Sequence, residues 1–171
     1  MEGKHIFLIG FMGAGKSTVA GELSRQLKIK QMEMDEYIVQ EQGMSINDIF
    51  EKYGEAYFRE LETKLLIGLK DRERVIVSCG GGVAMRSENV RHMKESGTII
   101  LLTASPETIF DRVKDSHDRP ILNGNMSVEF IRELMEKRRE YYEAAADIII
   151  ETDGKKAAQI SEEIIWKVSC L

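Results

Sequence analysis

Residues His5 to Thr18 read HIFLIGFMGAGKST, an apolar pentapeptide that runs straight into a loop with glycines at 10, 13 and 15, followed by Lys16, Ser17 and Thr18. The spacing Gly10-x-x-x-x-Gly15-Lys16-Ser17 between an expected strand and an expected helix is the P-loop pattern in the context it requires. Its glycines let successive N–H groups converge on one anion, at a helix N-terminus whose dipole also favours negative charge. Lys16 is then placed to reach the β- and γ-phosphates of a nucleotide, and the Ser17 hydroxyl to ligate Mg²⁺. A glycine turn that binds nothing is the alternative, and the strand before and helix after weigh against it.

The rest of the chain repeats the same alternation. HIFLI, MEM near residue 33, VIVSC from Val75, TIILLT from Thr98 and DIIIE from Asp147 read as short apolar strands. Helical periodicity covers roughly 16–28, 36–42, 46–70, 86–95, 106–114, 127–145 and 155–169. Apolar strands separated by helices imply an α/β fold, a parallel sheet covered on both faces with its ligands at the carboxyl ends of the strands. With 171 residues and no interdomain linker, the chain reads as one domain. The stretch Lys114 to Ser127, KDSHDRPILNGNMS, is long for a connection and reads as a lid.

Charge and cysteine usage narrow the partners. A net charge of −5 gives no overall field for nucleic acid or an anionic membrane, so any anion site is local. Cys79 and Cys170 form neither a CxxC nor a Cys/His pattern, which suggests neither a zinc site nor a disulfide framework. The apolar run at the start is too short for a signal peptide or a membrane span, and a cytoplasmic location is expected. Trp166 reads as core or helix-packing surface.

No guanine-specifying Asn-Lys-x-Asp is present, and the size suits a small-molecule kinase. Such an enzyme needs a group that orients an acceptor hydroxyl and charges that hold the acceptor. Asp35, where MEMDEY passes from strand to helix, is the first candidate, with a helix N-cap as its alternative role. Arg59 and Glu62 lie three apart on one helical face; on spacing alone an ordinary surface ion pair is the stronger reading. Gly80, Gly81 and Gly82 end the VIVSC strand as either a turn or a backbone closely approached by a ligand. Composition does not choose among Arg112, Arg119, Arg138 and Arg139.

Together LIGFMGAGKST, EMD, SINDIFEKYGEAYFRELE, the triple glycine, RPIL and KRREYY resemble the shikimate kinase family, in its order and spacing. The likeness runs from about Ile6 to the last helix, and the FR-x-x-E, GGG and RP-[IL]-L set is more specific than the P-loop. It implies a three-layer α/β/α P-loop kinase of the nucleoside monophosphate kinase type, with a five-stranded parallel sheet in the order 2-3-1-4-5. It further implies an acceptor-binding segment near 33–62 and a lid near 114–124. The implied reaction moves the γ-phosphoryl of ATP, with Mg²⁺, to the 3-hydroxyl of shikimate in a monomeric cytoplasmic enzyme.

Carried over residue by residue, the resemblance makes Asp35 the group that contacts the shikimate hydroxyls and the proposed base. Arg59 and Arg138 match the pair that holds the substrate carboxylate. Gly80, Gly81 and Gly82 line that pocket, Phe50 and Phe58 are its apolar walls, and Glu62 positions Arg59. Gly13, Ala14, Gly15, Lys16, Ser17 and Thr18 bind ATP, Arg112 stacks on adenine, and Arg119 closes over the transferring phosphate. Ser17, and Glu33 through water, serve the metal.

The sequence departs from the family in two places. Glu33 stands where an aspartate is usual, which adds a methylene to the metal-side acid. Glu140 replaces a proline two residues after Arg138; Arg138 is preferred to Arg139 because it keeps the spacing to Tyr142. A kinase for another small hydroxy acid such as gluconate, and a non-catalytic nucleotide-sensing domain, are the competing functions.

Overall fold

The structure, a computed structural model, describes residues 4–115 and 127–171. Five parallel strands form one sheet in the order β2-β3-β1-β4-β5. They are β1 (His5–Ile9), β2 (Gln31–Glu33), β3 (Ile76–Ser78), β4 (Gly97–Thr103) and β5 (Ile148–Glu151). The central strand β1 pairs with β3 through Ile6–Ile76 and with β4 through Ile6–Thr98, and all five of its residues are buried. Its apolar run from Ile6 to Ile9 is what a strand covered on both faces requires.

The helices are α1 (Lys16–Leu27), α2 (Met34–Gln42), α3 (Ile46–Tyr53), α4 (Glu55–Leu69), α5 (Ser87–Ser96), α6 (Pro106–Val113), α7 (Val128–Ala145) and α8 (Ala157–Ser169). The step from β1 to β2 runs across the sheet opposite to the steps β2 to β3, β3 to β4 and β4 to β5. Right-handed crossovers therefore place α1 on one face and α4, α5 and α7 on the other. The packing agrees: α1 meets α8, while α4 meets α5 and α7 rests on β4. Among the described residues, no helix is long and apolar enough to cross a membrane.

Local chemistry sets several boundaries. Ser45, Ser105 and Ser127 each accept the backbone N–H three residues on, at 3.1, 3.2 and 3.1 Å, and so cap α3, α6 and α7. The single helix expected over 46–70 is two helices. Gly54, at φ 86°, ends α3 by donating its N–H to Phe50 O at 2.9 Å, and the chain turns there into α4. The second strand lies one residue earlier than expected, so Met34 opens α2 and Asp35 sits in the first helical turn, not at the N-cap. Trp166 is 66% exposed on α8, which removes the reading of it as core. The expected lid falls, from residue 116 onward, outside the described residues.

All five strands point the same way, so the P-loop after β1, Glu33 at the end of β2 and the triple glycine after β3 gather at one edge of the sheet. That edge depends on tight pairing at the other end of the strands. A Cβ on Gly97, at the start of β4, would come within 2.8 Å of the Phe7 ring and 2.9 Å of the His5 carbonyl carbon. Gly97→Ala is therefore expected to lower stability by at least about 2 kcal/mol. An unchanged urea-unfolding midpoint would contradict this close approach.

Candidate active site

The P-loop takes the conformation its glycines allow. Gly13 and Gly15 have φ of 81° and 96°, values that residues with a Cβ rarely adopt. Lys16 lies at the first turn of α1 and donates to Gly10 O at 2.8 Å and Phe11 O at 3.0 Å, so its ammonium curls over the loop. Arg112, near the end of α6, donates to Gly13 O at 2.8 Å from the opposite side. Ala14 is buried beneath the loop.

A cleft of about 280 Å³ opens between this loop and the ends of β2 and β3. Gly13, Gly15, Lys16, Ser17, Thr18 and Arg112 line its P-loop wall, and Glu33, Asp35, Gly80 and Gly81 also line it. Ser17 donates its hydroxyl to Glu33 Oε2 at 2.9 Å and lies 3.4 Å from the Ser78 hydroxyl. The other Glu33 oxygen, Oε1, is buried with no hydrogen-bond partner among the described residues. Ser78 belongs to no sequence motif. Its place at the carboxyl end of a buried strand, two residues before the glycines, was the available signal.

The triple glycine forms the floor on which several charged side chains converge. A Cβ on Gly80 would fall 2.7 Å from Glu62 Oε2 and 3.1 Å from Asp35 Oδ1. On Gly81 it would lie 3.3 Å from Arg138 Nη1, and on Gly82 it would lie 2.5–2.6 Å from the Arg59 guanidinium. Each glycine thus has a charged side chain resting over its bare Cα. These side chains come from α2, α4 and α7.

Burial turns the Arg59–Glu62 spacing into something other than a surface pair. Arg59 Nη1 donates to Glu62 Oε1 at 2.6 Å and Nη2 to Glu55 Oε1 at 3.2 Å, while the Glu62 side chain is fully buried. Phe58 is buried and Phe50 half-buried, with ring centroids 5.1 Å apart, and the Arg59 guanidinium lies 5.4 Å from the Phe58 ring centre. On α7, Arg138 donates to Gly81 O at 3.3 Å, and its guanidinium lies 5.7 Å from the centre of the Phe11 ring. Neighbouring Arg139 is exposed and pairs with Glu136 at 3.1 Å.

A buried polar network outside the cleft fixes the relation of α4 to the glycine turn. Asn89, fully buried on α5, donates to Val83 O at 3.0 Å and accepts from the Thr63 hydroxyl at 2.6 Å. Thr63 stands one turn after Arg59. Nothing in the sequence pattern distinguishes Asn89 from a solvent-facing residue of a polar helix. Arg119 lies outside the described residues, so the sites brought together are those of the P-loop, α2, α4, the glycine turn, α6 and α7.

Comparison with known proteins places the chain. The shikimate kinase family model matches residues 12–169. The chain belongs to the shikimate kinase family. A shikimate kinase of Persephonella marina is 44% identical over 165 residues, covering 96% of this chain and 99% of the relative. Among solved structures, a shikimate kinase from Acinetobacter baumannii in complex with shikimate superposes with a TM-score of 0.92 at 30% identity, covering 98% and 93% of the two chains. The shikimate kinase of Aquifex aeolicus gives a TM-score of 0.82 at 39% identity over 96% of each. The chain is accordingly an ATP-dependent kinase with the P-loop kinase fold and the sheet order expected of its family.

The electrostatics of this shikimate kinase site carry a pH signature. Burial pushes the Glu62 carboxyl up to about 7 from an ordinary 4.5; the Arg59 charge and hydrogen bond oppose the rise, and nearby Asp35 adds to it. The folded state therefore holds this proton to higher pH than the unfolded chain does, and Glu62 stabilises the fold most at low pH. That contribution is lost as pH rises from the unfolded to the folded value, a change of about 3 kcal/mol at about 1.4 kcal/mol per unit. Glu62→Gln cannot titrate, so the stability of the wild type relative to this variant should fall between about pH 4.5 and about pH 7 in urea unfolding. Parallel pH profiles for the two proteins would contradict the burial of this carboxyl.

Proposed function

We propose that the chain transfers the γ-phosphoryl of ATP to the 3-hydroxyl of shikimate, giving shikimate 3-phosphate and ADP. The observation that carries the reading is the convergence of Arg59, Arg138 and Asp35 on one bare glycine turn, across a cleft from the P-loop. A small ring bearing a carboxylate and several hydroxyls suits such a site, because guanidinium forks bind a carboxylate in two places and a carboxylate accepts from hydroxyls.

In this reading Arg59 and Arg138 hold the substrate carboxylate over Gly81 and Gly82, with Phe50 and Phe58 as the apolar wall. Glu62 and Glu55 hold the Arg59 fork so that little is left to order on binding. Asp35 orients the 3-hydroxyl towards the γ-phosphorus and accepts its proton as the new P–O bond forms. The backbone N–H groups of residues 13–18 cradle the phosphates, and Lys16 leaves its loop carbonyls to neutralise the charge passing to ADP. Arg112 stacks on adenine from the end of α6. The family role of Arg119, closing over the transferring phosphate, is assigned to a position beyond the described residues, as is the lid.

The residues present fit a hard divalent cation. Among the described residues no cluster of three or more His, Cys, Asp or Glu side chains is placed to hold a metal, which suits an ion that rests mainly on phosphate and water oxygens. Ser17 would ligate Mg²⁺ directly and Glu33 through water, using the carboxylate oxygen that has no hydrogen-bond partner among the described residues. Bound there, Mg²⁺ neutralises phosphate charge. The longer Glu33 side chain is already drawn onto the Ser17 hydroxyl, so the extra methylene leaves the acid in reach. A cytoplasmic monomer without nucleic-acid or membrane partners completes the proposal, in keeping with the net charge of −5.

The test is ADP release with ATP and Mg²⁺ in the presence of shikimate, of gluconate, or of no acceptor. Shikimate-dependent turnover is expected; turnover with gluconate alone, or nucleotide binding without any turnover, would overturn the assignment. Asp35→Asn should lower kcat by about 100-fold or more while the KM for ATP stays within about twofold. Full activity in that variant would remove Asp35 as base and orienter.

A further inference from the structure

We propose that Tyr142 is a positioning residue for the acceptor end of the site, holding the Gly81 carbonyl so that Arg138 is free to turn to the substrate carboxylate. Arg138 and Tyr142 stand one turn apart on the same face of α7, and both reach across to Gly81 O. A carbonyl oxygen has two lone pairs, so both donors are accommodated together. Arg138 Nη1 donates at 3.3 Å, a long bond, and the Tyr142 hydroxyl makes the shorter of the two. Tyr142 is 5% exposed, and burial pushes its phenol up, against the opposing influence of Arg138, so it stays protonated and able to donate.

The physical consequence concerns what Arg138 gives up on binding an anion. With Tyr142 in place, Arg138 leaves a carbonyl that still has a strong donor, and the Gly81–Gly82 peptide keeps its orientation under the Arg59 guanidinium. Without the hydroxyl, Arg138 is the one side-chain donor left to Gly81 O among the described residues, and withdrawing it leaves the carbonyl of a half-buried residue with no side-chain donor among them. The missing bond therefore acts on acceptor binding, and the nucleotide side of the cleft is untouched. Tyr142 touches no reacting atom in this arrangement and works through the glycine turn and Arg138.

The inference rests on shikimate as acceptor, and the experiment separates the two. Wild-type turnover with shikimate tests the acceptor on its own. Tyr142→Phe is then expected to raise the KM for shikimate by about fivefold to tenfold, with kcat and the KM for ATP within about twofold. A KM for shikimate within twofold of wild type would overturn the proposal even if the melting temperature falls, because a bond that serves only the fold leaves acceptor binding alone. Hydrogen exchange at the amides of residues 80–83 in the ligand-free protein gives a readout independent of the acceptor. Faster exchange in Tyr142→Phe supports the holding of the turn, whereas unchanged exchange refutes it whether or not shikimate is the substrate.

Discussion

The side of the cleft that faces the P-loop depends on the close approach of charged side chains to a backbone without Cβ atoms. Gly80, Gly81 and Gly82 present three consecutive bare Cα positions, and each lies under a charged group: the Asp35 and Glu62 carboxylates, the Arg138 guanidinium and the Arg59 guanidinium in turn. Side chains from three helices can meet there because nothing on the turn itself stands between them. The turn in turn is fixed by the end of β3, by the Tyr142 and Arg138 bonds to Gly81 O, and by Asn89 through Val83. The sheet supplies the placement, since all five strands deliver their following loops to the same edge.

Crowding charge into that space has an electrostatic cost, and the arrangement offsets it by alternation. Asp35 and Glu62 repel each other across Gly80, and Glu62 is fully buried. Arg59 offsets the Glu62 charge by donating Nη1 to Glu62, while its Nη2 is held by Glu55. The opposition of burial and ion pairing leaves Glu62 protonating near neutral pH. Arg59 keeps hydrogen-bond capacity towards the cleft side because its partners occupy only part of its five donors. A site of this kind is held ready before the acceptor arrives, which is what positioning catalysis requires.

Much of the fold was legible in the sequence, for a reason that also marks where legibility ends. Apolar runs such as HIFLI and TIILLT can sit only in a covered sheet, and the glycine loop between strand and helix fixed the register of the nucleotide side. The order 2-3-1-4-5 came from family likeness and not from periodicity. The break at Gly54 is not legible, because a lone glycine inside an amphipathic stretch is compatible with a continuous helix and nothing in the pattern announces its φ of 86°. The Arg59–Glu62 spacing reads as a surface pair because spacing carries no burial; in the fold Glu62 is removed from water where α4 meets the glycine turn. Ser78 and Asn89 carry no motif and Tyr142 is legible only as the end of KRREYY, with no role attached; the parts of all three follow from contacts 61, 26 and 61 residues away in sequence.

Placing an alanine at 82 tests the bare-backbone account most directly, since its Cβ would stand 2.5 Å from the Arg59 guanidinium, whose atoms are the nearest to it. Steady-state kinetics of Gly82→Ala, with shikimate and ATP varied separately, should show the KM for shikimate raised by about tenfold or more and the KM for ATP within about twofold of wild type. Unchanged shikimate kinetics in a folded variant would contradict the claim that the missing side chains hold this site open for its arginines.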